Sequence, residues 1–348
     1  MYIDILIHVC DNLGDMGFAT ELTSHLAYSS KNIDFRFYTD DRSTLEKFFS
    51  LQNINYPIFS KGLWHQHDHS ETRLFLILFR TDFDVSYVEN LPIGVATLWV
   101  DYLTFDPNIA LLNGQEHIRS SRDHPIIHIV NSPLGGGLLP LLIAHHSSQD
   151  KQARLIACQE WKNHLPYTLD LEIQPSSKMV TIFSYNTQKH VQEICGLDWF
   201  VVGFTPIAFP QFLQSGSWVL PYVSIDQFYT LIGLSDVVIV RGEVSLAATL
   251  QLGAPFYWDM YKEKGGWNVH EFESFLSWIS LSFDHCGESE LFRFYNQSSR
   301  VLNEQGYIGP DDIEILMTEG AKKVFHHAAK RASERSLAQT ILAFIGKE

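Results

Sequence analysis

The feature that most constrains this chain is a strand, turn and helix at its start whose rhythm is repeated further along. An apolar run, Ile3 to Val9, reads as a buried first strand. Cys10-Asp11-Asn12-Leu13-Gly14-Asp15-Met16-Gly17 follows as a turn, and Phe18, Leu22 and Leu26 have the spacing of a helix face. Phe35 to Thr39, Phe75 to Phe79, Gly94 to Val100 and Pro125 to Val130 read as further strands, the rhythm of a parallel sheet. The alternation restarts with strands at Met179 to Ser184, Trp199 to Phe204 and Asp236 to Val240. Helices near Glu271 to Phe283, Asp311 to Phe325 and Ala328 to Phe344 close the chain. An α/β protein of two doubly wound domains is expected, 1–172 and 173–330, with a linker ending at Pro175-Ser176-Ser177-Lys178. Residues 331–348 are then a C-terminal helix able to pack back on the first domain.

The 348 residues suffice for two cores, and 45% hydrophobic with 19% charged residues suits a soluble protein. No apolar run is long enough to cross a bilayer, so no membrane partner is expected. A net charge of −15, without a Lys/Arg cluster, opposes nucleic-acid binding. The first apolar run begins at Ile3 with no basic leader, and Cys10, Cys158, Cys195 and Cys286 lack CxxC spacing. Both features predict a cytoplasmic chain with reduced thiols.

In open α/β sheets ligands bind at the carboxyl ends of strands, which is where the first turn lies. Asp11 and Asp15, four residues apart, face one opening from that turn, or else complement the positive end of the helix. His65, His67 and His69 are either metal ligands or part of a polar loop or edge strand. Gly135-Gly136-Gly137 is either a backbone cradle for a ligand or an ordinary turn. In the second domain the strand ending at Val240 runs directly into Arg241-Gly242-Glu243-Val244-Ser245 and a helix. Gly242 permits close approach, the helix start offers unpaired N–H groups, and Arg241 adds a bidentate cation, so a diphosphate suits this position. Glu243 receives a sugar hydroxyl or caps the helix, and Ser245 carries the same two readings. A dinucleotide dehydrogenase fits poorly, because the first turn lacks the spaced glycines and carries carboxylates where pyrophosphate would sit.

These motifs resemble those of the EarP-type elongation factor P arginine rhamnosyltransferases. The family's Asp-Asn-x-Gly-Asp-x-Gly is matched from Asp11 to Gly17. Its Pro-aromatic segment and Arg-Gly-Glu-Asp-Ser resemble Pro221-Tyr222 through Phe228 and Arg241 to Ser245. Fainter echoes are Trp99 to Leu103, the glycines before Leu138, Phe183 to Tyr185, and Pro255 to Trp258. The resemblance implies a GT-B fold, two Rossmann-like domains facing across a cleft. It implies an inverting, metal-independent glycosyltransferase without a cofactor. This enzyme would move L-rhamnose from dTDP-β-L-rhamnose to an arginine of elongation factor P.

By the same resemblance Asp15 is the general base, Asp11 with Asn12 holds the acceptor guanidinium, and Glu243 is the essential glutamate near the donor. Arg241, Gly242 and Ser245 would hold diphosphate, Tyr222 and Phe228 would sandwich thymine, and Tyr185 would line the pocket. The chain departs from the pattern at three places. Val244 replaces the family's aspartate, Ile225 stands where a glutamine contacts the base, and the Pro-Gln-x-Glu segment is absent from Tyr261 to Trp267. Two alternatives follow: a GT-B enzyme with a different donor or acceptor, and a non-catalytic paralogue that binds elongation factor P.

Overall fold

The computed structural model describes residues 2–9, 14–29, 33–51, 54–79, 84, 86–116, 125–139, 178–183, 199–204, 211–214, 217–220, 225–260 and 267–345. It divides into two compact units: Met1–Leu142 with Ala332–Glu348, and Ile143–Arg331. The boundary expected at 172/173, the linker residues Pro175 to Ser177 and the helix expected through Val191 lie outside the described residues, while Lys178, expected to end the linker, is already in a strand.

The first unit is built on β1 (Tyr2–Ile7), β2 (Asp34–Thr39), β3 (Ile58–Ser60), β4 (Thr72–Leu78), β5 (Ala96–Val100) and β6 (Ile126–Ile129). Between them run α1 (Gly14–Ser29), α2 (Arg42–Leu51), a 3-10 turn (Lys61–Gln66), α3 (Ser86–Glu89) and α4 (Pro107–Ala110). The strands are parallel in the order β3-β2-β1-β4-β5-β6, so the direction of winding reverses between β1 and β4. Ile3, Ile5, Leu6 and Ile7 of β1 and Leu74 to Leu78 of β4 are fully buried, as strands covered on both faces must be.

One carboxylate is fully buried in this apolar sheet. Asp4 of β1 is fully buried, and its carboxylate accepts from Arg36 Nε at 2.6 Å and Nη2 at 2.9 Å, His69 Nδ1 at 2.7 Å and Thr72 Oγ1 at 2.7 Å. A buried carboxylate is tolerable only when its lone pairs are occupied in this way.

The histidine segment is a polar loop with one buried ring, and its three histidines do not converge. Trp64 is fully buried and stacked on the His69 ring at 4.1 Å. His69 also bonds the Trp64 carbonyl, His67 bonds the Tyr38 hydroxyl, and His65 bonds the Asn90 amide. The three rings serve three separate partners; His65 lies within the 3-10 turn Lys61–Gln66, and His67 and His69 follow it.

The second unit carries β7 (Lys178–Ile182), β8 (Trp199–Phe204), β9 (Gln211–Gln214), β10 (Ser217–Leu220), β11 (Val237–Val240) and β12 (Phe256–Trp258). Their order is β12-β11-β7-β8-β10-β9, with only the β9–β10 pair antiparallel. Winding therefore reverses between β7 and β11. The helices are α5 (Ile225–Leu234), α6 (Glu243–Leu252), α7 (Trp267–Cys286), α8 (Ser289–Gln305), α9 (Pro310–Leu316) and α10 (Glu319–Ala332), and α11 (Leu337–Ile345) follows in the first unit.

Three helix expectations change. Helix α8 was not anticipated, because two of its buried residues, Ser298 and Ser299, are polar, leaving Tyr295 and Leu302 as a thin apolar stripe. The helix expected over 311–325 breaks after Leu316, where the Thr318 hydroxyl accepts the Ala321 N–H and starts a new one. The helix expected over 328–344 breaks likewise, with Ser336 accepting the Gln339 N–H ahead of α11.

The glycine run is a mooring for that last segment. The N–H groups of Leu134 to Gly137 are all satisfied by Val130 or Ser132, so none is offered to a ligand. The carbonyls of Leu134 and Gly135 accept from Arg335, and that of Gly136 from Thr340. Gly137, at φ +95°, lies so close to Arg335 that an added Cβ would be 2.5 Å from its carbonyl carbon. Among the described residues no helix is long and apolar enough to cross a membrane.

Candidate active site

In each sheet the reversal of winding leaves a crevice at the carboxyl ends of two strands, the usual place for a ligand in such sheets. In the second unit these strands are β7 and β11. Phe183, just past β7, donates its N–H to the Ile239 carbonyl at 2.6 Å, which fixes it at the crevice. Its ring lies 4.9 Å from that of Phe228 on α5, and the Arg241 guanidinium carbon is 5.9 Å from its centroid. Two aromatic rings and a cation are thus gathered where β11 gives way to α6.

Gly242 is the N-cap of α6 at φ −84° and ψ 163°, which any residue adopts, so glycine's contribution is the missing side chain at the helix mouth. The hydroxyl of the buried Ser245 donates to the Gly242 carbonyl at 2.7 Å, which commits its proton to the helix in this conformation. Glu243 begins α6 and is half-buried, as is Val244. The Trp258 indole donates to the Arg241 carbonyl at 3.0 Å, tying the neighbouring strand to this corner. Tyr222 and Tyr185 lie outside the described residues.

In the first unit the crevice lies at the ends of β1 and β4. Asp15, in the first turn of α1, is 3% exposed. Asp11 and Asn12 lie outside the described residues. Phe79, just past β4, is the one non-glycine residue with positive φ among the described residues, at 59°. That conformation costs about 1–2 kcal/mol and is held by packing on Phe18 at 4.7 Å and Tyr102 at 4.5 Å. His8 and Asp40, past β1 and β2, form a pair, as do Asp101 and His128 past and within β5 and β6.

Sequence reasoning missed Phe79, His8 and Asp40. The strand ends marked the last two by position, whereas the backbone of Phe79 has no sequence signal.

Residues 214–346 match the family described as Elongation-Factor P (EF-P) rhamnosyltransferase EarP. This stretch is EarP-like. It contains Phe228 and Arg241 to Ser245. Over 99% of this chain and 98% of its own length, the fold matches a structure described as the structural basis for EarP-mediated arginine glycosylation of translation elongation factor EF-P. That match has a TM-score of 0.56 at 16% identity. The glycosyltransferase SnogD from Streptomyces nogalater matches over 99% of both chains with a TM-score of 0.52 at 11% identity. The glycotransferase of kitacinnamycin matches over 99% of this chain and 97% of its own, with a TM-score of 0.53 at 9% identity. No curated protein sequence matches the chain. The two sheets and these likenesses make the fold GT-B, as the EarP resemblance implied.

Proposed function

We propose that the protein is an inverting glycosyltransferase that moves L-rhamnose from dTDP-β-L-rhamnose to an arginine side chain of EF-P, in the cytoplasm. The observation that carries this reading is the EarP match across Arg241 to Ser245, where the chain also gathers Phe183, Phe228 and Arg241 at a strand end. In this reading Phe228, with Tyr222, holds the thymine, Tyr185 lines the pocket, and Gly242 leaves room for the diphosphate. Arg241 and the α6 N-terminus offset charge developing on the leaving diphosphate, so no metal is needed.

On the first unit Asp11 and Asn12 orient the acceptor guanidinium. Asp15 takes its proton as the N–C1 bond forms and the C1–O bond breaks, the electron pair of that C–O bond leaving with the diphosphate. A guanidinium, with a pKa above about 12, attacks only when a base removes that proton. Glu243 orients the sugar through its hydroxyls. Ser245 would add a donor to the diphosphate after turning from the Gly242 carbonyl.

Incubation with EF-P and dTDP-rhamnose should add one deoxyhexose to EF-P in intact-mass spectra, and Asp15→Asn should abolish the addition. No adduct from folded partners, or full activity in the variant, overturns the reading.

Val244 favours a second reading, a changed donor. An apolar, half-buried residue at the second position of α6 gives no carboxylate to a ligand at the helix mouth. Thermal-shift titration across nucleoside diphosphates distinguishes the two, since a preference for a base other than thymine supports the altered donor.

A further inference from the structure

His69 is buried, with Nδ1 at 2.7 Å from Asp4 Oδ2 and Nε2 at 2.9 Å from the Trp64 carbonyl oxygen. A carbonyl oxygen only accepts, so Nε2 carries a proton. The Asp4 carboxylate also only accepts: burial opposes its charge, but the bonds from His69, Arg36 and Thr72 prevail and keep it ionised. Nδ1 therefore carries a proton as well. A neutral imidazole has one N–H and an imidazolium two, so the hydrogen bonds of His69 require the cation. The ring is stacked on Trp64 at 4.1 Å, where an indole face adds to the hold on a positive charge. The titratable groups facing it are Asp4 of β1, Arg36 and Tyr38 of β2, and His67 and Asp68 in the chain just before it. Tyr38 keeps its hydroxyl proton through burial. His67 is held in the opposite state, since burial first, then the charges of Arg36 and His69, lower its pKa and leave it neutral beside the Tyr38 hydroxyl.

We propose that His69 is a buried imidazolium that latches the 3-10 turn Lys61–Gln66 to the first sheet, and that loss of its second proton at rising pH releases the turn. The Asp4 carboxylate retains the Nδ1 proton, so Nε2 is the nitrogen that gives its proton up. Its lone pair then faces the lone pairs of the Trp64 carbonyl over 2.9 Å, and an attraction becomes a repulsion. The same carbonyl accepts the His67 N–H at 3.2 Å, and the His69 carbonyl accepts the Thr72 N–H at 3.0 Å, so the backbone on both sides of the ring is joined to this contact. The Trp64 indole remains tied to the Tyr87 carbonyl at 3.0 Å, which confines the change to the turn and the residues that follow it. Stability supplied by the second proton is complete while that proton is bound and is lost as pH rises past its release. Asp4 acts in the other direction, at the acid end, so one cluster bounds the first unit from both sides. None of this depends on the transfer reaction.

The test is two-bond proton–nitrogen NMR of the imidazoles in the full-length protein, with His67→Gln used to assign the signals. Amide protection factors, corrected for the intrinsic pH dependence of exchange, are measured alongside from about pH 6 to about pH 9. At neutral pH both ring nitrogens of His69 should be protonated and His67 should carry one N–H. As the second His69 proton leaves, protection of the His67 and Thr72 amides should fall by about tenfold while that of β1 holds. In His69→Gln, whose amide has no proton to lose in this range, the fall should vanish. An unprotonated nitrogen on His69 at neutral pH overturns the proposal. So does protection at His67 and Thr72 that stays constant across the range, whether or not the proton leaves. Both readouts come from the wild-type protein, so the outcome is decided even if His69→Gln does not fold.

Discussion

The indole N–H of Trp258 reaches the carbonyl of Arg241 over 3.0 Å, so the last strand of the second sheet fixes the main chain of the residue that carries the candidate cation. Asn303 continues the tie, donating to the Trp258 carbonyl at 2.8 Å and accepting the Met260 N–H at 2.9 Å. Trp258→Phe keeps an aromatic ring and removes the donor. It should weaken dTDP binding by about tenfold or less, the effect of roughly 1 kcal/mol, with Arg241 itself intact. Calorimetric titration checks this, and unchanged affinity would show that the tie does not position the arginine.

Arg241 should not tolerate lysine. Its guanidinium can offer two parallel donors to a diphosphate, where an ammonium acts as a point charge. Arg241→Lys should lose about tenfold in dTDP affinity, and Arg241→Ala about a further tenfold. If dTDP raises the melting temperature of both variants as much as that of wild type, the diphosphate is held elsewhere.

The buried carboxylate of Asp4 makes the first unit sensitive to acid. Burial opposes its charge, but the bonds from His69, Arg36 and Thr72 prevail and lower its pKa below the ordinary value of 3.8. A folded-state pKa below the unfolded one gives stability that is complete above the ordinary value and is lost as pH falls through the folded value. Melting temperature should therefore drop below about pH 4 in the wild type. Asp4→Asn should be destabilised at neutral pH by about 3–5 kcal/mol, since Arg36 keeps its bonds to the Asp68 carbonyl and Thr72 but loses its counter-charge, and should show a flatter acid limb.

The parallel sheets and the step from strand to helix after Val240 were legible because buried strands read as continuous apolar runs ended by polar or glycine residues. Arg241-Gly242 was legible for the same reason, as a motif abutting the run that ends at Val240. What escaped was set by tertiary contacts. Helix α8 buries serines, the break at Thr318 depends on a single hydroxyl, and Trp64 is buried through stacking on a histidine that is itself bound to a carboxylate in another strand. The left-handed backbone of Phe79 is imposed by rings from two other segments and leaves no trace in local composition.

Gly137 should not accept a side chain. Alanine there would need both a φ of +95° and room where the Arg335 backbone already stands. Gly137→Ala should lower stability by about 2 kcal/mol or more and raise amide exchange across α11 while leaving α7 and α8 protected. Uniform exchange in wild type and variant would show that the turn does not hold the last helix.

Because α11 is bound to the turn between Ser132 and Gly137, the first sheet shares its unit with residues that are synthesised after the whole second sheet. During translation β1 to β6 emerge early yet stay without that support until the whole second sheet and its helices have followed. The second unit is thus the part able to complete itself first, in reverse of the customary order, and the nascent first half is where a chaperone would be needed.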